Sequence, residues 1–485
     1  MPVLLAVAPL LLVMALLASG RVSALPAGAA GLAATLLVVL IAPPENTALL
    51  PFLAYNTFVG AWLAWQVIAI VLGGIFFYLC VRARDLAGQP ASPALPVADD
   101  LHPRLYFVCF LLGPFAEAVT GFGVGYVITL ATVVRLGVRG VPALVLGLYS
   151  QSLVPWGALA AGTTLGAQIA GMEPTVLGAR SAVLQMPMHA AYLALFWHFL
   201  RASGVPLRVA RCLEDVAWTV VTVAAVWLAH AVIDVEIAGA APLGALVALR
   251  WVRNERPDLM ALRRALRTSL PYVALTLALV ATRTVPPLQA VLKSLAAWQP
   301  LPDQPPFAPF YVPGFWLLVI GAGTLVAARA PAWRVVRDTV ASGWRPSVVT
   351  LFFVVMAAFY VAAGMAASIA DALHAAMGVA SALGAPLFAA IGGFLTGSGS
   401  ASNAMLMPMQ IAVAAEAHVD PSWMAAVQNA VTTNLTMLSP IRVSMGVAIL
   451  ALARGDSAVY RAAWPLALPP IVAGMGTIGW LLAVG

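Results

Sequence analysis

What this chain of 485 residues has least of is charge. Asp, Glu, Lys and Arg make up 9% of it and 62% is hydrophobic, where soluble domains are about a quarter charged and half apolar. That balance excludes a water-soluble globular or disordered class. Cysteine is scarce too: Cys80, Cys109 and Cys212 form no spaced pair. An odd count in a membrane chain favours free thiols, so neither a disulfide frame nor a metal or other cofactor is expected. The alternating ten-residue pattern of an outer-membrane barrel is missing. So are HExxH, GxSxG, clustered carboxylates and a His/Asp pair at helical spacing, which argues against a membrane-embedded enzyme. No loop is long enough for a folded output domain, which argues against a signalling receptor. The net charge of +7, from 25 basic and 18 acidic residues, is spread over short loops. That distribution encodes topology and makes nucleic acid an unexpected partner.

What the chain does have is a series of apolar runs near or above the ~20 residues that span hydrocarbon as a helix. They predict an all-α polytopic membrane protein with the lipid bilayer as its surroundings. Twelve helices are expected, near 2–20, 26–43, 57–81, 140–172, 181–200, 214–234, 236–250, 270–297, 312–329, 347–370, 421–453 and 462–484. The first, MPVLLAVAPLLLVMALLASG, has no basic residue before Arg21. It reads as a transmembrane helix entering from outside rather than a signal peptide, and both termini are expected outside.

Two further apolar stretches, 105–134 and 383–416, are interrupted by Gly and polar residues. Basic loops occur at Arg82/Arg84/Arg104, Arg135/Arg139, Arg201/Arg208/Arg211, Arg250 through Arg267, Arg329 through Arg345, and Arg454/Arg461. With all of these cytoplasmic, stretch 105–134 must leave the cytoplasm and return to it. Stretch 383–416, flanked by Asp371, Glu416 and Asp420, must enter from outside and return there. Both read as re-entrant hairpins approaching from opposite faces, with pairs of short tilted spanning helices as the alternative. The runs 140–172 and 421–453 are too long for one ordinary span, and each carries a central proline, Pro155 in SLVPWG and Pro440 in MLSPIR. Both are expected to be broken helices.

The two halves align without a gap at an offset of 279 residues, pairing Phe115 with Phe394, Gly113 with Gly392, Pro142 with Pro421 and Ser150 with Asn429. The implied organisation is a first inverted repeat over 1–200, a connecting helix pair with a basic cytoplasmic loop over 201–268, and a second repeat over 269–485. Inverted repeats of this kind mark secondary transporters.

The polar residues inside these segments are the candidate site. In GGFLTGSGSASNAMLMPMQ, Ser398, Ser400, Ser402 and Asn403 are placed to replace water around a polar solute, with helix packing as the alternative use of such small residues. The first hairpin holds Glu117, the only carboxylate between Leu101 and Gly171. At membrane depth it suits a proton-carrying role or a permanent pairing with an Arg or with backbone amides. The nearby Gly121/Gly123/Gly125 spacing has no strand context and is no nucleotide loop. In QNAVTTNLTMLSPIRVSMG, Asn429 and Ser439 precede the break, and Arg442 follows it as the sole basic residue between Arg345 and Arg454. An isolated guanidinium there suits a carboxylate substrate, or else an ion pair with Glu117 or snorkelling to an interface. The mirror segment YSQSLVPWG offers Ser150, Gln151 and Ser152. His189 is a proton-relay candidate, with simple packing as its alternative.

These residues resemble the L-lactate permease and glycolate permease family of bacterial monocarboxylate transporters. GPFAEAVTGFG at Gly113 to Gly123 is similar to that family's first-hairpin pattern, FLTGSGSASNA at Phe394 to Ala404 to its second, and MLSP at Met437 to Pro440 to a third element. The resemblance implies proton-coupled symport of a small 2-hydroxy monocarboxylate across the bacterial inner membrane, and carries Glu117, Ser398, Ser402 and Asn403 into functional positions. The chain departs from the family pattern at Gly399, where Asp or Asn is usual, and at Thr436, where Lys is usual. The expected partner is therefore a small organic anion, with Na⁺ as a variant coupling ion. A homodimer is one way to cover the apolar faces, and lipid around a monomer is the other.

Overall fold

The computed structural model describes residues 1–87, 101–121, 123–452 and 455–484. Phe122 of the first hairpin motif and Arg454 of the last basic loop lie outside the described residues. The described chain is helical from end to end, with a single isolated β-bridge between Trp298 and Phe307. A backbone in hydrocarbon has no water to bond with, so each segment must satisfy its own N–H and C=O groups.

The chain opens with α1 (Val3–Ala18), α2 (Ala24–Ile41) and α3 (Leu49–Ala87). A hairpin follows: α4 (Leu101–Tyr106) runs through a π-helical segment, Phe107–Leu112, into α5 (Gly113–Thr120), and α6 (Val124–Arg135) returns. Next come α7 (Gly140–Leu148), short 3₁₀ turns at Tyr149–Gln151 and Val154–Trp156, α8 (Gly157–Ile169) and α9 (Pro174–Ala202). The connecting pair is α10 (Val209–Val232) and α11 (Ala240–Glu255). The second half has α12 (Leu259–Thr284), α13 (Pro286–Ser294), α14 (Pro313–Ala327), α15 (Ala332–Ala362) and α16 (Met365–Met377). A second hairpin of α17 (Ala385–Thr396) and α18 (Gly399–Glu416) leads to α19 (Pro421–Leu435), a 3₁₀ turn at Thr436–Leu438, α20 (Pro440–Leu450), α21 (Gly455–Ala463) and α22 (Leu468–Val484).

Among the described residues seven helices are long and apolar enough to cross a membrane, or eight when the pair 140–151 and 154–169, bent by 55°, counts as one. Several expected spans divide at identifiable points. The run 347–370 breaks at Gly364, whose φ of 70° ends the helix, and α15 begins earlier than expected at Ala332. The presumed loop Arg329 through Arg345 is therefore mostly helix. The run 270–297 ends at Thr284, because Val285 precedes Pro286 and takes an extended conformation. The run 462–484 is divided by a 3₁₀ turn at Trp464–Ala467, where Pro465, Pro469 and Pro470 remove backbone donors.

The two hairpins and two broken helices appear in the expected order, but a constant offset does not superpose them. The hairpin turns, at Gly121 and Gly397, are 276 residues apart (397 − 121) and the break prolines, Pro155 and Pro440, are 285 apart (440 − 155). Most of the difference lies in the returning arms, because α18 has 18 residues and α6 has 12.

Small residues set the close packing, as they do where helices associate without a hydrophobic drive. A methyl at Gly60 of α3 would lie 2.5 Å from Val355 Cα of α15, and one at Gly73 would lie 2.9 Å from the Gly314 carbonyl of α14. At the centre is α19, buried continuously from Met424 to Leu435. A methyl at Gly393 of α17 would overlap the Thr432 carbonyl of α19, and backbone cannot swing aside. Gly393→Ala is expected to lower stability by about 1–3 kcal/mol, read as a lower unfolding temperature in detergent; unchanged melting would show that α17 can shift.

Candidate functional site

The first hairpin turns on glycines. Gly121 and Gly123 have φ of 68° and 79°, a region that costs other residues strain. A methyl at Gly125 would lie 2.5 Å from the Gly113 carbonyl and 2.7 Å from Glu117 N, so α5 and α6 touch backbone to backbone. This brings the turn amides over Glu117, 2% exposed. Gly123 N donates to Oε1 and Gly125 N to Oε2, both at 3.0 Å. Arg442 of α20 faces the same carboxylate, with Nη2 3.8 Å from Oε1. Hairpin 1 and the second broken helix are thus joined by a buried carboxylate and guanidinium.

Arg442 lies in the first turn of α20. Ser439 caps that helix, its Oγ accepting from Arg442 N at 3.4 Å. Arg442 Nε has no protein partner among the described residues. Both hairpin turns reach this end of α20: a methyl at Gly123 would lie 2.7 Å from Arg442 Nη1, and one at Gly397 would lie 2.9 Å from Ser439 Oγ. Free N–H groups and a guanidinium at a helix N-terminus form an anion-favouring environment.

The second hairpin is tied to α8, α9 and α19. Ser398 caps α18, accepting from Ala401 N at 3.3 Å. Ser402 and Thr432 share a hydroxyl–hydroxyl bond. Asn403 Nδ2 donates to Asn429 Oδ1 at 2.8 Å and to the Gly162 carbonyl at 3.1 Å, while Asn403 Oδ1 has no protein partner among the described residues. Asn429 Nδ2 donates to Thr163 and Ser181, each at 3.0 Å. Ser400 lies over Gly162, where a methyl would come within 3.2 Å of its Oγ. Asn403 and Asn429 thus form one polar network with Thr163 and Ser181, while Ser398 caps α18 and Ser402 pairs with Thr432.

Sequence reading missed two members of that network, Thr163 and Ser181. Each is a small polar residue in a largely apolar helix, Thr163 beside Thr164 and Ser181 beside Arg180, and neither differs from a packing residue until its neighbour is known. Ser150, Gln151 and Ser152 occupy the first break and are fully buried. Ser150 belongs with hairpin 1, since a methyl at Gly113 would lie 2.8 Å from its Cβ, and its hydroxyl donates to the Gly147 carbonyl at 2.9 Å.

The first break is strained. Ala158, Leu159 and Ala160 form a left-handed turn with φ of 51°, 52° and 58°, at roughly 1–2 kcal/mol per residue. A methyl at Gly121 would lie 2.5 Å from Ala158 Cβ, so the turn of hairpin 1 rests on this segment. Trp156 just before it donates to His230 Nε2 of α10 at 3.0 Å, tying the break to the connecting pair.

Asn429 binds three elements at once, so Asn429→Ala strands Ser181 and takes one bond each from Asn403, which keeps the Gly162 carbonyl, and Thr163, which keeps the Pro155 carbonyl. With each stranded buried group costing ~1–3 kcal/mol, the variant is expected to melt well below wild type in detergent. A change confined to transport, with melting unaltered, would make Asn429 a solute contact rather than a network hub.

The family model described as L-lactate permease matches residues 2–301 and 307–475. The L-lactate permease of Escherichia coli is 25% identical over 468 residues, covering 84% of this chain and 82% of that protein. The glycolate permease GlcA of Escherichia coli is 28% identical over 152 residues, covering 31% of this chain and only 26% of that protein. Among solved structures, the Alcanivorax borkumensis YdaH transporter gives a TM-score of 0.42 at 16% identity, over 89% of this chain and 88% of that one. MtrF of Neisseria gonorrhoeae gives 0.47 at 13%, over 96% of each chain. Likenesses this distant fix neither topology nor substrate.

Proposed function

Because this chain belongs to the L-lactate permease family, and is a permease rather than an enzyme, we propose that it carries a small monocarboxylate such as L-lactate or glycolate by proton-coupled symport across the bacterial inner membrane. The observation that carries this reading is the Glu117–Arg442 pairing. A monocarboxylate entering between the hairpin turns would compete with Glu117 for the guanidinium, whose Nε has no protein partner among the described residues. Neutralising Glu117 with a proton lets Arg442 turn to the substrate, so that proton and anion load together and no uncompensated charge is left in low dielectric. On release of both, Glu117 pairs again with Arg442, held by its two turn amides.

Ser398, Ser400, Ser402 and Asn403 are proposed to contact the substrate's carboxylate or hydroxyl when hairpin 2 moves, with Ser439 and the first turn of α20 at its anionic end. The departures at Gly399 and Thr436 fit Arg442 as the charge-bearing group. A methyl at Gly399 would lie 2.6 Å from Thr433 Cγ2, leaving little room for a longer residue. The Thr436 hydroxyl donates to the Thr433 carbonyl at 2.7 Å. We further propose two inverted repeats, over 1–200 and 269–485, both termini outside, and exposed apolar residues such as Val326 and Trp333 facing lipid or a second copy. Na⁺ coupling is the variant reading, on the strength of the Asn and Ser oxygens around Asn429.

The test is uptake of labelled L-lactate and glycolate into proteoliposomes under an imposed proton gradient, with a sodium gradient in parallel. Accumulation with protons alone supports the proposal. Accumulation only with sodium replaces the coupling ion, and no flux of either acid overturns the substrate class.

A further inference from the structure

On α9 the residues Ser181, Gln185, His189 and Tyr192 share one face. Its ends are moored to α19: Ser181 accepts from Asn429 at 3.0 Å, and the Tyr192 hydroxyl donates to Asn434 Oδ1 at 3.3 Å. Between the moorings lie Gln185 and His189, 0% and 1% exposed. Neither end of the Gln185 amide meets a protein partner among the described residues, and neither does His189 Nε2.

The other ring nitrogen settles what Nε2 is. His189 Nδ1 lies 3.0 Å from the Gln185 backbone carbonyl, which can only accept, so Nδ1 carries hydrogen and Nε2 is a bare acceptor while the ring is neutral. Around the ring are Phe110 and Tyr192, at centroid distances of 6.4 and 6.1 Å. Phe110 belongs to the π-helical segment leading into hairpin 1, and π turns inside helices concentrate at functional places. Tyr192 meets this ring edge-on, and Tyr149 packs on Phe110 and Tyr192. Both are phenols, which hold their protons at neutral pH. The ring has no ion-pair partner among the described residues.

Burying such atoms without partners costs about 1–3 kcal/mol each, a cost an apolar side chain of the same size would avoid. We propose that Gln185 and His189 form a second polar station, which binds water and carries the coupled proton in transit on His189 Nε2, Glu117 being where it loads with the anion. The inference rests on the proton-coupled reading above. A proton delivered through bound water adds to the Nε2 lone pair, the Nδ1–H bond to the Gln185 carbonyl persists, and the water accepts from the new N–H while bonding to the Gln185 amide. The same proton leaves by the reverse route.

The chain has six histidines, few enough to resolve singly. The experiment uses full-length protein labelled with ¹⁵N-histidine in nanodiscs, with His189→Gln assigning the resonance by its loss. The expected result is the Nδ1–H tautomer at high pH, passing to imidazolium as the pH is lowered through the range in which the imposed gradient drives accumulation. Gln185→Leu is expected to move that transition to lower pH, since it removes an acceptor for the cation. In proteoliposomes, His189→Gln is expected to lower gradient-driven accumulation by roughly tenfold while counterflow at equal pH stays within about twofold. A ring that stays neutral across the range, or a folded His189→Gln protein that accumulates like wild type, overturns the station. The resonance depends on no transported solute. Titration at His189 in a protein that moves no monocarboxylate would therefore overturn the transport reading and leave the proton site standing.

Discussion

Replacing Arg442 with alanine is expected to reduce monocarboxylate uptake by about 10- to 10²-fold, since a charge-assisted bond contributes ~1.5–3 kcal/mol and every 1.4 kcal/mol is tenfold. The guanidinium is 8% exposed, is the one basic side chain between Arg345 and Arg454, and is the group nearest the N-terminus of α20 that can bind a carboxylate in two-pronged fashion. Its loss has a structural side as well, because Glu117 would be left ionised and buried with only the amides of Gly123 and Gly125. The double variant Arg442→Ala/Glu117→Gln separates the two effects. It removes the stranded charge, so it is expected to recover the melting temperature without recovering uptake. Arg442→Lys keeps the charge but not the fork and is expected to retain partial uptake with weaker apparent affinity. Recovery of uptake in the double variant would assign Arg442 to holding Glu117 and nothing more.

The second large effect is expected from Glu117→Gln: loss of gradient-driven accumulation with exchange of internal for external substrate retained. Glutamine has the shape of glutamate and an oxygen that can still accept from Gly123 N at the 3.0 Å seen for Oε1. Its NH₂ would face Gly125 N–H, donor against donor, so about one hydrogen bond worth ~1 kcal/mol is lost and the hairpin turn survives. What changes is that the side chain can neither ionise nor take up a proton. Arg442 then has no competitor, so substrate binds irrespective of pH, and the steep pH dependence expected of wild-type uptake should flatten. Counterflow of labelled against unlabelled L-lactate at equal pH reads the exchange, and uptake under an imposed gradient reads the coupling. Accumulation that survives in Glu117→Gln would move the coupling proton elsewhere, with His189 the next group to examine.

Much of the architecture was legible because the bilayer leaves a chain few options. A stretch of apolar residues with no partner for its backbone but itself must be helical, and prolines and glycines then mark where helices stop. Pro155 and Pro440, singled out in the sequence, lie at the two breaks of the structure, and its hairpin turns fall at Gly121 and Gly397. Less legible was where a helix continues through a basic segment. Arg334, Arg337 and Arg345 looked like loop, yet α15 runs through all three, because arginine is a good helix former once its head is out of the apolar layer. The repeat was visible only approximately, since returning arms of different length keep the same ends in place.

The sequence by itself determined the class of molecule and the set of polar residues within its apolar runs, since composition and the cost of a bare backbone in hydrocarbon act on local stretches. Only the tertiary structure decided which of those residues meet. Nothing in the spacing of Glu117 and Arg442, 325 positions apart (442 − 117), or of Asn403, Asn429, Thr163 and Ser181, says that the first two form an ion pair or that the others share hydrogen bonds. Those pairings arise because glycines let the hairpin turns approach the broken helices closely enough for buried polar groups to satisfy one another, and that is a property of how helices pack.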